Sequence, residues 1–281
     1  MLEHKKYLEQ VENKILQEGL LSSQLIDFYK SIYDYQGKYY NIYSMKPFSP
    51  SISFPELPAI DVNNVTFIAE MRSLLMEGVS PLLSIISSYH NRMNFDYFLN
   101  NLSTNISMVG DCIRALLKRD NRGLNRFAGD NQIGFNEFIF ILINWFKPLF
   151  VYLMDENRVK IDNDNWFESN CPFCGYLPDM AMIVESMDGK RYLHCALCEY
   201  KWQFKRISCT ICENIGIDSL GYFVTDKEEP YRIDYCEKCK GYIKGIRIPQ
   251  NRDPDTFDLT VENLITAYLD SSAIKRGYLM P

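Results

Sequence analysis

The sequence lacks a surplus of positive charge. Lys and Arg total 30 of the 281 residues against 36 Asp and Glu, which gives a formal net charge of −6. Non-specific affinity for nucleic acid needs an excess of Lys and Arg, so we predict that the protein binds no nucleic acid. We also expect no signal peptide, because charges interrupt residues 1–19 throughout and leave no apolar core.

A clean apolar run of membrane-spanning length is lacking as well. The most apolar stretch, residues 135–154, is interrupted by polar residues and a proline: Asn136, Glu137, Asn144, Lys147 and Pro148. A spanning helix needs about 20 predominantly apolar residues, so we predict a buried core helix and no membrane span. The chain is therefore expected in the cytoplasm. Because that compartment is reducing, cysteines are expected to be metal ligands or redox groups rather than disulfides.

The first 160 residues have the periodicity of helices. Apolar side chains recur at helical spacing, for example at Leu8, Val11 and Ile15. Four prolines predict a loop or extended strap at residues 47–60. Helices are predicted at the following ranges, the first of which should stop at Gly78: 63–78, 79–90, 94–118 (one helix, or two divided at Gly110 and Asp111) and 134–154.

No residues in this half have the spacing of a catalytic site. The lone Cys112 is expected to be a small buried hydrophobe rather than a reactive thiol. The tyrosine-rich residues 32–43 fit either a partner surface or a helix packed on the core, and the second interpretation is favoured. We therefore predict no catalytic site in this half of the chain.

Short strands are predicted from about residue 161 onward. Residues 181–186 and 190–195 flank Asp188-Gly189, which is a hairpin signal. Residues 220–225 and 231–236 flank a second turn in the same way. One more strand follows each hairpin, at 200–207 and 242–248. The end of the chain, 257–277, is again helical, with Asp258 as its predicted cap.

The cysteines, in contrast, occur in a regular pattern. Eight of the nine cysteines form four Cys-x-x-Cys turns, here called knuckles: Cys171/Cys174, Cys195/Cys198, Cys209/Cys212 and Cys236/Cys239. Two thiolates on one tight turn can reach a single tetrahedral metal at about 2.3 Å, while backbone N–H groups of the turn donate to the sulfurs. Two knuckles therefore complete one four-thiolate site.

The intervals between knuckles predict how they combine. The first two knuckles are 20 residues apart and the last two are 23 apart, and each interval contains one hairpin. Only ten residues, interpreted as one strand, separate the inner knuckles, and a strand holds its ends apart at about 3.3 Å per residue. We predict that the first and second knuckles share one metal, and the third and fourth another. A cross-braced pairing is the alternative, and His194 is an alternative ligand that is expected to point away.

Closed four-thiolate sites have no open position for substrate, so they argue against a metallohydrolase. Two metal ions per chain are predicted, with zinc favoured and rubredoxin-type iron as the alternative. A basic cluster near the inner knuckles either offsets the thiolate charge, which is favoured, or forms a docking patch: Lys190, Arg191, Lys201, Lys205 and Arg206.

Several motifs resemble the formate dehydrogenase accessory protein family of the FdhE type. The resemblance covers about 166–250 and rests on these elements: Trp166, Cys171-Pro172-Phe173-Cys174-Gly175, Arg191-Tyr192-Leu193-His194-Cys195, Trp202, Cys209-x-x-Cys212-Glu213-Asn214 and Tyr235-Cys236-x-x-Cys239-Lys240-Gly241. It implies all eight knuckle cysteines as metal ligands. It also implies a cytoplasmic, non-enzymatic role in which the protein binds the catalytic subunit of a formate dehydrogenase during maturation. The alternatives are a rubredoxin-like iron redox protein and a zinc-ribbon nucleic-acid-binding protein, in which Tyr200, Trp202 and Phe204 would stack on bases.

The resulting fold class is α+β, with an N-terminal all-α domain, two rubredoxin-like or zinc-ribbon β modules and a C-terminal helix. The expected segments are residues 1–160, 161–207, 208–250 and 251–281. The position after each knuckle favours a left-handed backbone, which Gly175 adopts without cost. Glu199, Glu213 and Lys240 occupy the corresponding positions of the other knuckles, and their turns are expected to be slightly strained.

Overall fold

The computed structural model describes residues 3–46, 52, 54, 56–89, 93–162, 164–224 and 230–279. Backbone contacts divide the chain into two compact units. The helical unit comprises Met1–Lys5, Gln24–Ile161 and Phe173–Tyr176. The sheet unit comprises Lys6–Ser23, Asp162–Pro172 and Leu177–Pro281. The segment boundaries expected at 160, 207 and 250 stay a prediction about domain organisation.

Helices dominate the first 160 residues, as the periodicity predicted. Their bounds are α1 His4–Gln17, α2 Ser23–Ser44, α3 Val65–Tyr89, α4 Asp96–Thr104, α5 Met108–Leu117, α6 Asn121–Asp130 and α7 Phe135–Asn157. Helix α6 was not predicted, although Asp120 caps it by accepting a hydrogen bond from the backbone N of Gly123 at 2.9 Å. The break in the predicted helix 94–118 lies at residues 105–107 rather than at Gly110. Half of the predicted loop at 47–60 lies outside the described residues.

Gly78 does not end a helix, because α3 continues through it to Tyr89. Its role is close packing: a Cβ at this position would lie 2.8 Å from the hydroxyl oxygen of Tyr35 and 3.3 Å from that of Tyr43. The tyrosines of α2 therefore point into the core, and Tyr35 and Tyr43 are buried. The favoured interpretation of the tyrosine-rich stretch is consistent with this burial.

Helix α7 is the apolar helix of the sequence. Within the described part of the chain, one helix, Phe135–Lys160, is long and apolar enough to cross a membrane, and 78% of its most apolar window is buried. Three polar residues of α7 are buried with it, namely Asn144, Lys147 and Asn157. Oδ1 of Asn144 accepts a hydrogen bond from Nε2 of Gln36 at 2.9 Å, and Lys147 is only 4% exposed. Such burial is typical of a core helix.

The sheet unit contains a six-stranded sheet within its described residues, in the order β3-β2-β1-β6-β5-β4. The strands are β1 Pro178–Val184, β2 Lys190–Cys195, β3 Lys201–Phe204, β4 Leu220–Phe223, β5 Tyr231–Cys236 and β6 Tyr242–Ile248. Strands β1 and β2 form one antiparallel hairpin and β4 and β5 form the other, as predicted. The two halves are joined because β1 pairs in parallel with β6.

Two short helices follow the sheet, α8 Leu259–Ile265 and α9 Ala267–Lys275. Asp258 caps α8 as predicted, since its carboxylate accepts from the backbone N of Thr260 and Val261, each at 3.1 Å. The predicted single helix is interrupted at the fully buried Thr266. One apolar cluster contains Leu259 with side chains of β1 and β6, and a second contains Leu269 with side chains of β5 and β6. The observed class is the predicted α+β fold.

Candidate metal centres

The hairpins place the knuckles in pairs. Cys195 ends β2 opposite Pro178, the first residue of β1, and Cys236 ends β5 opposite Leu220, the first residue of β4. Each hairpin therefore brings the knuckle that precedes it beside the knuckle that follows it. The opening knuckle of the first group, Cys171/Cys174, lies directly before β1 in the chain.

The cysteine sulfurs form two groups, as the intervals predicted. The first group is Cys171, Cys174, Cys195 and Cys198, and the second is Cys209, Cys212, Cys236 and Cys239. Within each group all four sulfurs lie within 4.8 Å of one another. The cross-braced alternative is wrong, because it would mix members of these groups.

Sulfur spacing provides a test of whether a metal fits. Four sulfurs at about 2.3 Å from a tetrahedral metal are separated from one another by about 3.8 Å. The sulfurs of Cys171 and Cys198 are 3.5 Å apart, those of Cys209 and Cys239 are 3.6 Å apart, and those of Cys212 and Cys236 are 3.8 Å apart. Both groups thus have the dimensions of a tetrahedral four-thiolate site.

Backbone N–H groups surround the sulfurs in the same way in both groups. The N–H groups of Leu197 and Cys198 approach the sulfur of Cys195 at 3.4 and 3.5 Å. Those of Ile211 and Cys212 approach the sulfur of Cys209 at the same two distances. Such donors stabilise the negative charge of a thiolate.

The residue after each knuckle has a positive φ, as predicted. Gly175 has φ +80°, Glu199 +61°, Glu213 +56° and Lys240 +58°. Only the first of these is a glycine, so the other three turns carry the cost of a left-handed backbone at a residue with a Cβ. The turn is repeated four times in spite of that cost, which indicates that the sulfur positions depend on it.

Burial distinguishes the two groups. The sulfur-bearing residues of the first group are 0–1% exposed. In the second group Cys212 is exposed and Cys239 is half-buried, while Cys209 and Cys236 are buried. Burial raises the pKa of Cys209 to about 12. Burial also acts to raise the pKa of Cys236, but hydrogen bonds from the backbone N–H groups of Cys239 and Lys238 and from the thiols of Cys212 and Cys239 together outweigh it and lower that pKa to about 7.

His194 lies outside both sulfur groups. Its Nδ1 is 2.7 Å from Oδ1 of Asp179, and the ring is buried. Cys112, in turn, is fully buried in α5, where burial raises its pKa to about 12. It is the buried, unreactive thiol that the sequence predicted.

The predicted basic cluster is not one surface. Arg191 is 3% exposed, and its Nη2 lies 3.0 Å from the Asp234 carboxylate while its Nη1 donates to the carbonyl of Ser208 at 2.9 Å. Its strand position on β2 turns it into the protein, whereas Lys205 and Arg206 remain exposed after β3. The sequence pattern did not reveal this. Successive side chains of a strand point to opposite faces, so Arg191 is buried although Lys190 beside it is exposed.

Two tryptophans donate hydrogen bonds to the segment before the first knuckle. The sequence identified them only as motif residues. Nε1 of Trp166 donates to the carbonyl of Asn170 at 2.9 Å, and Nε1 of Trp202 donates to the carbonyl of Glu168 at 3.1 Å. Tyr200, Trp202 and Phe204 are all buried. They therefore present no free faces on which bases could stack.

Comparison with known proteins agrees with this architecture. Residues 170–206, which include the first sulfur group, match a family model described as FdhE, central domain. A protein FdhE homolog from Aquifex aeolicus is 30% identical over 171 residues, which cover 59% of this chain and 58% of the relative. Another, from Shewanella baltica, is 33% identical over 135 residues, which cover 47% of this chain and 40% of the relative. The resemblance to the FdhE family is confirmed.

A solved structure extends the FdhE comparison to the whole fold. The crystal structure of the FdhE protein from Pseudomonas aeruginosa superimposes with a TM-score of 0.61 and covers 99% of this chain and 92% of that one. The two share 17% sequence identity, so this likeness concerns the fold. The aligned part of this chain spans little more than half of the Aquifex FdhE homolog and less than half of the Shewanella one.

Proposed function

We propose that this chain is a non-enzymatic accessory factor that binds the catalytic subunit of a formate dehydrogenase and supports its maturation in the cytoplasm. Similarity to the FdhE family supports the accessory role. The donor set supports the proposal that the protein is not an enzyme, because two closed groups of four sulfurs leave a metal no open position for water or substrate. A site of that kind stabilises a fold and holds a surface in shape.

The eight knuckle cysteines are proposed as the ligands of two metal ions, Cys171, Cys174, Cys195 and Cys198 for one and Cys209, Cys212, Cys236 and Cys239 for the other. Zinc is the proposed metal because it accepts four thiolates in a closed tetrahedral site without redox chemistry. Each such site has a formal charge of −2. When bound, the metal supplies cross-linking of distant segments, and the chain supplies the donors and their N–H partners.

The partner-binding surface is proposed beside the second sulfur group. The exposed Cys212 is followed by two aliphatic side chains that are open to solvent, Ile215 at 68% and Ile217 at 69% exposure. Exposed apolar side chains grouped on one surface favour a protein-binding site. The metal would fix the loop that carries them.

Co-purification tests this proposal. Tagged protein, isolated from a formate-oxidising host, is expected to recover the catalytic subunit of a molybdenum- or tungsten-dependent formate dehydrogenase, as identified by mass spectrometry. Ile215→Asp should reduce the recovered subunit by about tenfold, which corresponds to roughly 1.4 kcal/mol of binding free energy. Ile106→Asp is the matched control, because Ile106 is 74% exposed but lies in the helical unit. Recovery of no such subunit, with formate oxidation unchanged on deletion, would refute the accessory role.

An iron-based redox function is the second candidate, and one observation favours it. Electron transfer needs a centre near the surface, and Cys212 is exposed while all four cysteines of the first group are buried. Metal analysis and an absorbance spectrum of freshly isolated protein separate the candidates. Two zinc ions per chain and no visible absorbance support the zinc proposal. A red protein with reversible charge-transfer bands would replace it with rubredoxin-type iron.

A further inference from the structure

A cavity of about 380 Å³ opens in the sheet unit next to the second sulfur group, where Cys209 and Cys236 form part of its wall. Sites for small ligands have volumes of about 300–1,000 Å³ and combine apolar walls with a few convergent polar groups. This cavity has the volume of such a site. Ile217 belongs both to the proposed partner-binding surface and to the lining of the cavity, but the proposed accessory role assigns no function to the cavity interior.

Arginines provide the polar wall of the cavity. Arg191, Arg206, Arg232 and Arg247 line it, and Asp234 is the one carboxylate among its described lining residues. Nε of Arg232 lies 2.8 Å from Asp234, and Nη2 of Arg191 lies 3.0 Å from the same carboxylate. One carboxylate is thus shared between two guanidinium groups, and the adjacent proposed metal site adds negative charge through Cys209 and Cys236, so a surplus of positive charge in the wall comes from the other two arginines.

The other two arginines supply this surplus. Nε of Arg247 lies 3.6 Å from Glu185, in an exposed pair that contributes little to stability. Arg206 is exposed and forms no ion pair with any acidic side chain in the described part of the chain. Its guanidinium group is therefore available to an incoming anion.

Three buried donors of the wall form no hydrogen bond with any described residue: Nε of Arg191, Nε of Arg232 and the hydroxyl of Ser208. Nε of Arg232 faces the Asp234 carboxylate as an ion pair only. Arg191 is 3% exposed and Ser208 is 4% exposed. A buried donor without an acceptor is destabilising, so a ligand that supplies acceptors there would recover the missing hydrogen-bond energy.

Apolar side chains form the rim. Ile207, Ile217 and Tyr222 all line the cavity and are 56%, 69% and 62% exposed. The ring of Tyr222 also contacts the guanidinium group of Arg232, with 4.9 Å between Cζ and the ring centre. The cavity is thus cationic inside and apolar at its mouth.

We propose that this cavity binds an oxyanion group, a carboxylate or a phosphate, that is carried on an apolar stem. Guanidinium groups bind such oxyanions through paired N–H donors, and the apolar rim would contact the stem. Two sources share this chemistry: a free small anion, and an acidic side chain within an apolar peptide of the partner. The second source rests on the proposed function, whereas the first does not.

Titration calorimetry with inorganic phosphate on the metal-loaded full chain tests the anion site directly. We expect saturable binding that weakens as salt is added. Arg206→Gln should weaken it by about tenfold, the effect of losing one charge-assisted hydrogen bond. Lys205→Gln is the matched control, because it removes the same charge from the neighbouring exposed residue, which does not line the cavity. It should change the dissociation constant by less than about twofold.

Ser208→Ala separates binding from folding. The hydroxyl has no partner to lose among the described residues, so the thermal midpoint should stay the same or rise, while phosphate binding weakens. Equal effects of Arg206→Gln and Lys205→Gln would overturn the proposal, as would an absence of saturable binding at millimolar phosphate. So would loss of bound metal in Arg206→Gln without a change in phosphate affinity, because the arginines would then only offset thiolate charge.

Capped peptides distinguish the two sources. The peptides acetyl-Val-Glu-Val-amide and acetyl-Val-Gln-Val-amide differ by one carboxylate. If the partner supplies the anion, the Glu peptide should compete with phosphate at least about tenfold better than the Gln peptide. Phosphate binding without peptide competition assigns the site to a small free anion. That result would leave the co-purification test of the accessory role unaffected, so the two proposals can fail independently.

Discussion

The two sulfur groups have the same local geometry and different surroundings. In both, a hairpin joins two knuckles, paired N–H groups approach the first sulfur of a knuckle at 3.4 and 3.5 Å, and a left-handed residue follows. Yet every cysteine of the first group is buried, whereas the second group exposes Cys212 and part of Cys239. Donor geometry is therefore set by the knuckle alone, while access to the donors is set by what surrounds it.

The residues between the cysteines account for the difference between the buried first group and the last knuckle of the second group, although not for the exposure of Cys212, whose knuckle contains Thr210 and Ile211. In the first group they are apolar, and Phe173 and Leu197 are fully buried. In the last knuckle of the second group they are Glu237 and Lys238, which are exposed. Apolar side chains inside a knuckle draw it into a core, because burial of a large apolar side chain contributes about 1.5–3 kcal/mol. Charged side chains keep the knuckle at the surface.

Loss of one ligand from each group should give the largest contrast. Cys198→Ser and Cys239→Ser remove the last sulfur of equivalent knuckles, one buried and the other half-buried. We expect Cys198→Ser to lower the thermal midpoint by about 10 °C or more, since a buried hydroxyl then replaces a ligand of a structural site. Cys239→Ser should lower it by less than about half as much. Equal losses, measured by circular dichroism with metal analysis, would show that burial does not set the contribution of a group.

Chelation should open the second group first. With a metal chelator and iodoacetamide, Cys212 and Cys239 are expected to be alkylated at least about ten times faster than any cysteine of the first group, because reaction requires an accessible thiolate. Cys112 is an internal control. It is fully buried and its pKa is raised to about 12, so it should stay unlabelled until the protein unfolds. Mass spectrometry of tryptic peptides gives the order, and simultaneous labelling of both groups would contradict it.

The sequence was sufficient to predict features set by short-range chemistry. The grouping of the knuckles, the two hairpins, the cap at Asp258 and the left-handed residues all depend on spacing and turn geometry. The parallel pairing of β1 with β6 was not predictable in this way, because the two strands are far apart in the chain. In the structure almost every residue of both strands is buried, which is typical of strands covered on both faces.

Gly78 and Arg191 illustrate a second limit. A glycine followed by a change of pattern predicted a helix stop, but tertiary packing of tyrosines against it requires the glycine within the helix. Arg191 was grouped with surface lysines, yet a carboxylate on the neighbouring half of the sheet, Asp234, stabilises it in the interior. In both cases the deciding partner is distant in sequence, and local patterns do not contain it.

Removing the backbone strain from one turn of the second group should have a smaller effect on stability. Lys240→Gly should raise the free energy of unfolding by about 1 kcal/mol, because glycine adopts the left-handed backbone without the Cβ penalty. The ion pair that it removes, with Glu237, is exposed and contributes little. Lys238→Gly is the control in the same knuckle, since Lys238 does not have a positive φ, and it should destabilise. Urea unfolding of both variants tests this, and a loss of stability in Lys240→Gly would show that the turn is not strained.

The smallest effect on stability should come from the glutamates that follow a knuckle in a left-handed conformation, and it should depend on pH. Oε1 of Glu213 accepts a hydrogen bond from the backbone N of Ser169 at 2.9 Å, and this bond lowers the carboxylate pKa below its ordinary value of 4.5. A lowered folded-state pKa means that the ionised carboxylate stabilises the protein above pH 4.5, and that this contribution is lost as the pH falls through the folded-state pKa. Glu213→Gln should therefore cost well under about 1 kcal/mol at pH 7, because the group is largely exposed, and nothing once the carboxylate of the parent protein is protonated. Glu199, at the same turn position of the first group, accepts a hydrogen bond from the hydroxyl of Thr260 at 3.2 Å. Urea unfolding of Glu213→Gln and of the parent protein at pH 7 and at pH 3 tests this. If the difference in the free energy of unfolding were the same at both pH values, the hydrogen bond to Ser169 would not depend on charge. Packing alone would then attach the second group to the segment before the first knuckle.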